Sequence, residues 1–355
     1  MAAGCGDGGQ CGGGPEGNLS NELDGVSCVS STNCAAVGSH FSDDAHPSQT
    51  LIESWGGSNW TVVPSPNPGT ASLLYGVSCT STTNCVAVGS YGNAWPPDRT
   101  LVESWNGSSW TVVPSPNPAG SSAVLEGVSC TSTTNCVAVG GYRIANGLTD
   151  RTLIESWNGI TWSTASSLSP GSTYNALQSV SCTSATDCTA VGGYRSGDSL
   201  PDQTLVESWN GSTWKVVPSP NPLPSGGGEF TGVSCTSSTN CVAVGGGSDG
   251  TYRSTTVTEM WDGASWRIVP SASPGVFSIL YGVSCANATS CVAVGRYFDG
   301  FLLNTLVETW DGMAWGVTPV PTRPVRPPTS SSARRAPVRP GASPSASVKA
   351  VQGMM

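Results

Sequence analysis

The apolar residues of this chain fall in short alternating runs, with no stripe of helical period. One stretch reads Leu74-Tyr75-Gly76-Val77-Ser78-Cys79, then Cys85-Val86-Ala87-Val88-Gly89, then Thr100-Leu101-Val102-Glu103-Ser104-Trp105, then Trp110-Thr111-Val112-Val113-Pro114. Each run is rich in β-branched and aromatic residues and is bounded by Gly, Asn, Ser or Pro, which predicts four short β-strands, here a to d. Between c and d, Asn106-Gly107 tolerates positive φ and predicts a tight antiparallel hairpin. The same Asn-Gly or Asp-Gly recurs at Asn158, Asn210, Asp262 and Asp311. Strand d runs into Val-Pro-Ser-Pro-Asn-Pro in three copies. Proline cannot join a ladder, so d belongs on an outer edge, where it also blunts edge-to-edge pairing.

The whole pattern repeats. From Cys28 to Cys79, Cys130, Cys182, Cys235 and Cys285 the steps are 51, 51, 52, 53 and 50 residues, the length of one four-stranded blade. The expectation is an all-β, six-bladed β-propeller with four antiparallel strands per blade over residues 25–322 and strand a innermost. Residues 1–24 read as a Gly-rich linker. Residues 323–355 read as a disordered Pro/Ser/Arg-rich tail, since nothing there could bury a core. The copies run a to d in register, which leaves ring closure to side-chain packing of blades one and six.

The 14 cysteines form seven pairs with five residues between partners. Six lie across the a–b turns: Cys28 with Cys34, Cys79 with Cys85, Cys130 with Cys136, Cys182 with Cys188, Cys235 with Cys241, and Cys285 with Cys291. So regular an even count predicts disulfides and an oxidising location, extracellular or at the cell surface. A structural zinc site would need four ligands close together, and successive pairs are too far apart in sequence to supply them. The seventh pair, Cys5 with Cys11, allows two readings. Ala2-Ala3-Gly4-Cys5 resembles a bacterial lipobox, which would put a lipid anchor on Cys5; a disulfide between Cys5 and Cys11 is the other.

Charge divides along the chain: the body carries −15 and the part after residue 322 carries +6, giving the net −9. An acidic body argues against nucleic acid as a partner. No apolar stretch is long enough for a transmembrane helix. No phosphate loop, Gly-x-Ser-x-Gly elbow or Cys–His nucleophile pair occurs, and nothing in the sequence calls for a cofactor or a metal. His40 and His46 share one loop with Asp43 and Asp44, which a polar surface loop explains without a metal.

Gly140-Gly141-Tyr142 and Gly192-Gly193-Tyr194 after strand b, Trp157 and Trp209 ending strand c, and Trp162 and Trp214 opening strand d together resemble the kelch repeat family, including the galactose-oxidase-like propellers. The resemblance covers roughly residues 25 to 320 and implies the propeller fold. The sequence departs from it where the double Gly is incomplete (Gly38-Ser39, Gly89-Ser90, Gly295-Arg296) and in the cysteine pairs. The copper site of the galactose-oxidase-like enzymes needs two His and two Tyr spread over the ring and a Cys; here both His share a loop and the Cys are paired.

Every blade carries a Glu in strand c (Glu53, Glu103, Glu155, Glu207, Glu259, Glu308). Paired carboxylates are what glycoside hydrolysis needs, but a residue repeated in every blade reads more simply as a building element that bonds backbone or an indole N–H. The copies disagree instead in the b–c loops and d-to-a connections, which emerge on one face of the meander, and loops on a rigid scaffold are where recognition diversifies. At that face stand Tyr91, Tyr142, Tyr194 and Tyr297, with Arg143, Arg195 and Arg296 alongside and Trp95 outside the repeat pattern; aromatic faces and guanidinium forks suit sugar rings or acidic polymers. The same Tyr could instead pad the blade ends. The functional expectation is a non-catalytic module that binds glycan or protein. The alternatives are a secreted carbohydrate-active enzyme, which would need a unique acid/base pair, and a structural spacer without a small ligand.

Overall fold

The computed structural model describes residues 20–41, 48–93, 97–118, 121–144, 149–221, 227–248 and 253–320. Blade one comprises β1 (Ser20–Ser30), β2 (Asn33–Phe41), β3 (Gln49–Trp55) and β4 (Trp60–Val62). Blade two comprises β5 (Ala71–Ser81), β6 (Asn84–Gly92), β7 (Arg99–Trp105) and β8 (Trp110–Val112), and blade three β9 (Ser121–Ser132), β10 (Asn135–Ile144), β11 (Asp150–Trp157) and β12 (Trp162–Ala165). Blade four comprises β13 (Tyr174–Ser184), β14 (Asp187–Arg195), β15 (Gln203–Trp209) and β16 (Trp214–Val216). Blade five comprises β17 (Gly227–Ser237), β18 (Asn240–Ser248), β19 (Ser254–Trp261) and β20 (Trp266–Ile268), and blade six β21 (Phe277–Asn287), β22 (Ser290–Phe298), β23 (Leu303–Trp310) and β24 (Trp315–Val317).

Within each blade the strands pair antiparallel in the order a-b-c-d, and the a strands of consecutive blades pack side by side, so a is innermost. The protein is an all-β propeller of six four-stranded blades. β1 begins at Ser20, ahead of Gly25, because residues 20–23 pair with Gly38–Phe41 of β2.

Two local rules of the repeat become visible. Each a–b pair has two register shifts, one beside the a–b turn and one in mid-strand, where Asp24, Tyr75, Glu126, Gln178, Thr231 or Tyr281 is bulged out of register. A bulge kinks the strand and re-aims a side chain. The b-strand glycine opposite (Gly38, Gly89, Gly140, Gly192, Gly245, Gly295) is required by close approach, because a Cβ there would lie 2.0–2.1 Å from an a-strand carbonyl oxygen. At the c–d hairpin, Gly107 sits at φ +93° while the Asn106 side chain accepts the N–H groups of Ser108 and Ser109 at 2.9 and 3.0 Å.

The core lies between blades. At each of five junctions, Val and Ile from strands b and c of one blade meet Leu, Val and Trp of the next; Val37 and Ile52 of blade one, for example, meet Leu74, Val77, Leu101 and Trp110 of blade two. The strand-c Trp of each blade stacks on its strand-d Trp with ring centroids 5.7–5.8 Å apart. Its indole N–H donates to the a–b turn carbonyl, as Trp105 does to Thr82 at 3.2 Å.

Polar bonds follow the same stagger. The Ser before each first cysteine accepts the N–H of the next blade's cysteine at 3.0 Å: Ser27 from Cys79, Ser78 from Cys130, Ser129 from Cys182, Ser181 from Cys235 and Ser234 from Cys285.

All six expected a–b pairs are disulfides. Cys28 is bonded to Cys34, Cys79 to Cys85, Cys130 to Cys136, Cys182 to Cys188, Cys235 to Cys241 and Cys285 to Cys291, each with Cα atoms 4.0 Å apart. Their presence is consistent with an extracellular location. The sequence presents these cysteines as staples across a turn, but the second member of each pair is also a core residue. Cys85, Cys136, Cys188, Cys241 and Cys291 are buried within the five interblade clusters. Cys34, at the start of the array, is buried but belongs to none of those clusters. Cys5 and Cys11 lie outside the described residues.

No described helix is long and apolar enough to cross a membrane. One expectation fails: blade six does not pack against blade one. β21 and β1 make no contact comparable to the other five neighbouring a-strand pairs; of the apolar residues that would meet there, Val26 and Val292 are exposed and Leu23, Trp60, Val294 and Val307 half-buried, while Cys34, Ala36 and Leu51 stay buried.

Candidate functional site

The repeated strand-c carboxyls are structural. Glu103, Glu155, Glu207, Glu259 and Glu308 are fully buried, and each is reached by the d-to-a segment of the preceding blade. Ser65 donates to Glu103 at 2.8 Å, Ser115 to Glu155 at 2.6 Å, Ser167 to Glu207 at 3.0 Å and Ser219 to Glu259 at 2.9 Å. The Leu168 and Ala272 backbone N–H groups add bonds to Glu207 and Glu308. The partners are thus hydroxyl and backbone; the strand-c indoles are committed to their own turns. Burial pushes the carboxyls of Glu103, Glu155 and Glu207 up to about 7 and that of Glu259 to about 8, against the opposing pull of these bonds.

Charged side chains that the repeat does not dictate come within electrostatic reach of one another across blades. Among the bulged residues, Glu126 is raised to about 7, by burial first and then by the charges of Asp24 and Glu229. Glu229 comes from β17, at a position that is Leu73, Val124, Ala176 or Ile279 in four other blades. Its Oε1 accepts the Tyr174 hydroxyl at 2.7 Å and Gln178 Nε2 at 3.1 Å. Burial raises the Glu229 carboxyl, while these two bonds and the Arg195 charge restrain the shift. Burial, followed by the neighbouring Glu229 charge, also raises the Tyr174 hydroxyl.

Next to this group, Arg195 at the end of β14 grips Asp202 in a two-pronged pair at 2.8 and 2.9 Å. That fork fixes the b–c loop of blade four against the start of β15. The result is an open cleft of ≈ 620 Å³ between blades four and five that reaches Ile279 of blade six, lined also by Arg195, Leu200, Asp202, Glu229 and Thr231, a size that suits a small ligand or a short chain segment.

The structure distributes the residues expected at a binding face. Arg195 lines this cleft. Tyr142 lines a second, smaller cleft of ≈ 430 Å³ with Asn117 and Arg151. Arg143 forks onto Asp150 as Arg195 does onto Asp202, with Nη2–Oδ2 at 2.7 Å. Tyr91, Tyr142, Tyr194 and Tyr297 are half-buried, each packed on a different interblade cluster, and the Tyr194 hydroxyl donates to Gln203. Arg296 lies over the Tyr281 and Phe277 rings, 5.4 and 6.0 Å from their centroids. These Tyr and Arg residues are therefore distributed over blades two, three, four and six. Trp95, like His46, Asp43 and Asp44, lies outside the described residues. Tyr174, Gln178, Asp202 and Glu229 were not anticipated; the available signal was a carboxyl in β17 where most blades carry an apolar residue.

No family model matches the chain, and no curated protein sequence matches it. Solved structures resemble it in fold. A YCF48 structure bound to D1 peptide has a TM-score of 0.50 at 13% identity, covering 83% of this chain and 81% of that one. A polysaccharide lyase, the PL25 ulvan lyase bound to a GlcA(1-4)Rha3S unit, has a TM-score of 0.51 at 11% identity, with 82% and 79% covered. A protein of unknown function from Dyadobacter fermentans has a TM-score of 0.52 at 11% identity, with 81% and 93% covered. At such identities the likeness concerns the propeller scaffold alone.

Proposed function

We propose that the protein is an extracellular or cell-surface binding module that holds a glycan or protein segment in the cleft between blades four and five. The observation that carries this reading is the Arg195–Asp202 fork standing beside the Tyr174–Glu229–Gln178 group in an open cleft. Here guanidinium, carboxyl and hydroxyl groups are pre-set by bonds to one another; blade three repeats the fork as Arg143–Asp150, but the Tyr174–Glu229–Gln178 group occurs beside the blade-four fork. Fixed donors and acceptors on a rigid scaffold suit a ligand rich in hydroxyl or amide groups. The strand-c carboxyls, spent on holding blades together, offer no repeated catalytic pair. Propellers of this shape carry a peptide in one neighbour and an oligosaccharide in another, which supports the scaffold and leaves the ligand class to the cleft. The kelch affiliation rests on the Gly-Gly-Tyr and Trp positions of the sequence.

The test is binding to arrays of oligosaccharides and of synthetic peptides, repeated with Arg195→Ala and Tyr174→Phe after each variant is shown to keep its disulfides and its melting point. At least a tenfold loss of affinity for the retained probe is expected. Unchanged affinity in both variants rejects the cleft. A second reading is a carbohydrate-active enzyme, favoured by one observation: Glu229 is a cleft-lining carboxyl that burial raises, next to a tyrosine hydroxyl, as acid/base chemistry requires. Polysaccharide cleavage that is abolished by Glu229→Gln, with binding retained, would select it.

A further inference from the structure

Five junctions between consecutive blades repeat one set of contacts, and at the sixth position of the ring part of that set stands open, although Cys34, Ala36 and Leu51, the counterparts of Cys85, Ala87 and Leu101, stay buried. On the face by which a blade meets its predecessor, Val77, Val128, Val180 and Val233 are 6–9% exposed and Val283 is half-buried, whereas Val26 of blade one is 50% exposed. Leu23 is half-buried where Leu74, Leu125, Leu177, Phe230 and Leu280 are wholly buried, and Trp60 is half-buried where its five counterparts are buried. On the face by which a blade meets its successor, Val86, Val137 and Val242 are 0–7% exposed, but Val292 of blade six is 39% exposed. Val294 and Val307 are likewise half-open where the matching residues of the other blades are buried.

The polar contacts stop at the same place. Ser284 accepts no cysteine N–H and the Cys28 N–H finds no Ser hydroxyl among the described residues, although the other five such pairs are made. Glu53 has no donor among the described residues, where Ser65, Ser115, Ser167 and Ser219 serve the strand-c carboxyls of the blades that follow them. Blade six has Val320 where those serines stand, so it carries no hydroxyl to offer Glu53.

We propose that the seam between blade six and blade one is an interaction surface that receives one further four-stranded blade of this same repeat, contributed by a partner. The five filled junctions define what the occupant must present. Toward blade six it needs Leu, Val and Trp side chains and a backbone N–H for Ser284. Toward blade one it needs two Val, a Ser hydroxyl to accept the Cys28 N–H and another to donate to Glu53. A blade of this repeat carries the first set on one face and the second on the other. A second copy of the chain offers only one of these faces at each end, and a small ligand offers neither. Covering the seam would remove from water the apolar patch that a closed repeat array hides with neighbouring units.

With the natural partner unidentified, the probe is a copy of blade two, residues 69–118, joined ahead of Ser20 in the full chain. The enlarged protein should melt about 5 °C or more above the parent, and its tryptophan emission should shift to the blue as Trp60 is covered. In that protein Val26→Lys and Val292→Lys should each reverse the gain, while the same changes leave the melting point of the parent unaltered. Three results overturn the proposal. An enlarged chain no more stable than the parent means that the added blade does not dock. A parent destabilised by Val26→Lys or Val292→Lys means that blades six and one close on each other in solution. A parent dimer dispersed by either change assigns the seam to a second copy.

Discussion

Replacing Glu103 by Gln tests whether the strand-c carboxyls are held proton-bound between blades. Glu103 is wholly buried, its Oε2 accepts the Ser65 hydroxyl at 2.8 Å, and its Oε1 has no partner among the described residues. Its carboxyl is raised from 4.5 to about 7, chiefly by burial. A folded-state value above the unfolded one means that the folded protein keeps the proton longer. The resulting stability is fully present below about pH 4.5 and is lost as the pH climbs through 7. Titration of a carboxyl at about 7 in place of 4.5 corresponds to about 3 kcal/mol for this one group. Urea unfolding of the parent and of Glu103→Gln at pH 5 and pH 8.5 measures it. The parent should be markedly less stable at pH 8.5, and the variant should recover about 3 kcal/mol of that pH difference, whatever its absolute stability at either pH. Other acids, including Glu126, titrate in the same range but do so in both proteins, so the comparison isolates Glu103. Parallel pH profiles in the two proteins would show that Glu103 ionises at its ordinary value and would refute the reasoning.

Trp110→Ala empties a 6%-exposed site between blades one and two and should lower stability by about 3 to 5 kcal/mol, read from the shift in the urea midpoint. Ser78→Ala strands the Cys130 N–H that Ser78 accepts at 3.0 Å and should cost about 1 to 3 kcal/mol. Ser284→Ala, whose hydroxyl makes no such bond, should stay within about 0.5 kcal/mol; equal effects would contradict the stagger of contacts. Gly107→Ala forces a side chain onto φ +93° and to within 2.8 Å of the Thr83 methyl, so its melting point should fall below that of a Ser108→Ala control. Peptide mapping without reductant should return six cross-links, each within its own blade.

Much of the architecture was legible because the repeat displays it six times. The cysteine spacing, the Asn-Gly hairpins and the Pro-rich exits from strand d each have a direct backbone meaning, and all six expected disulfides form. What the spacing did not reveal is that Cys85, Cys136, Cys188, Cys241 and Cys291 also face a neighbouring blade, since a hairpin read in isolation has no neighbour. The bulged residues were hidden for a physical reason. Asp24, Tyr75, Glu126 and their counterparts sit on a bulge, where one extra residue breaks the two-residue alternation from which a strand's faces are read. The strand-c glutamates were recognised as structural, but their serine partners lie in the preceding repeat, some forty residues back along the chain, a distance that a local pattern cannot bridge. Ring closure was misjudged because six complete copies look self-sufficient in one dimension. Whether the last face meets the first depends on the angle between successive blades, which no local motif encodes. The cleft partners of Arg195 were missed because Glu229 and Tyr174 belong to different repeats and meet only after blades four and five are stacked.

The disulfides carry a mechanical consequence. Each joins residues six apart in sequence, so none stitches one blade to another. Tension applied at the two ends therefore meets only packing and hydrogen bonds at the junctions, and the molecule should come apart as a series of similar steps. With the bridges intact, a blade can release roughly 160 Å of chain, and reduction would lengthen each step by roughly 20 Å. A sawtooth of that spacing, slightly stretched by reductant, is the force signature of a protein whose covalent staples stiffen each unit and leave the units free to part.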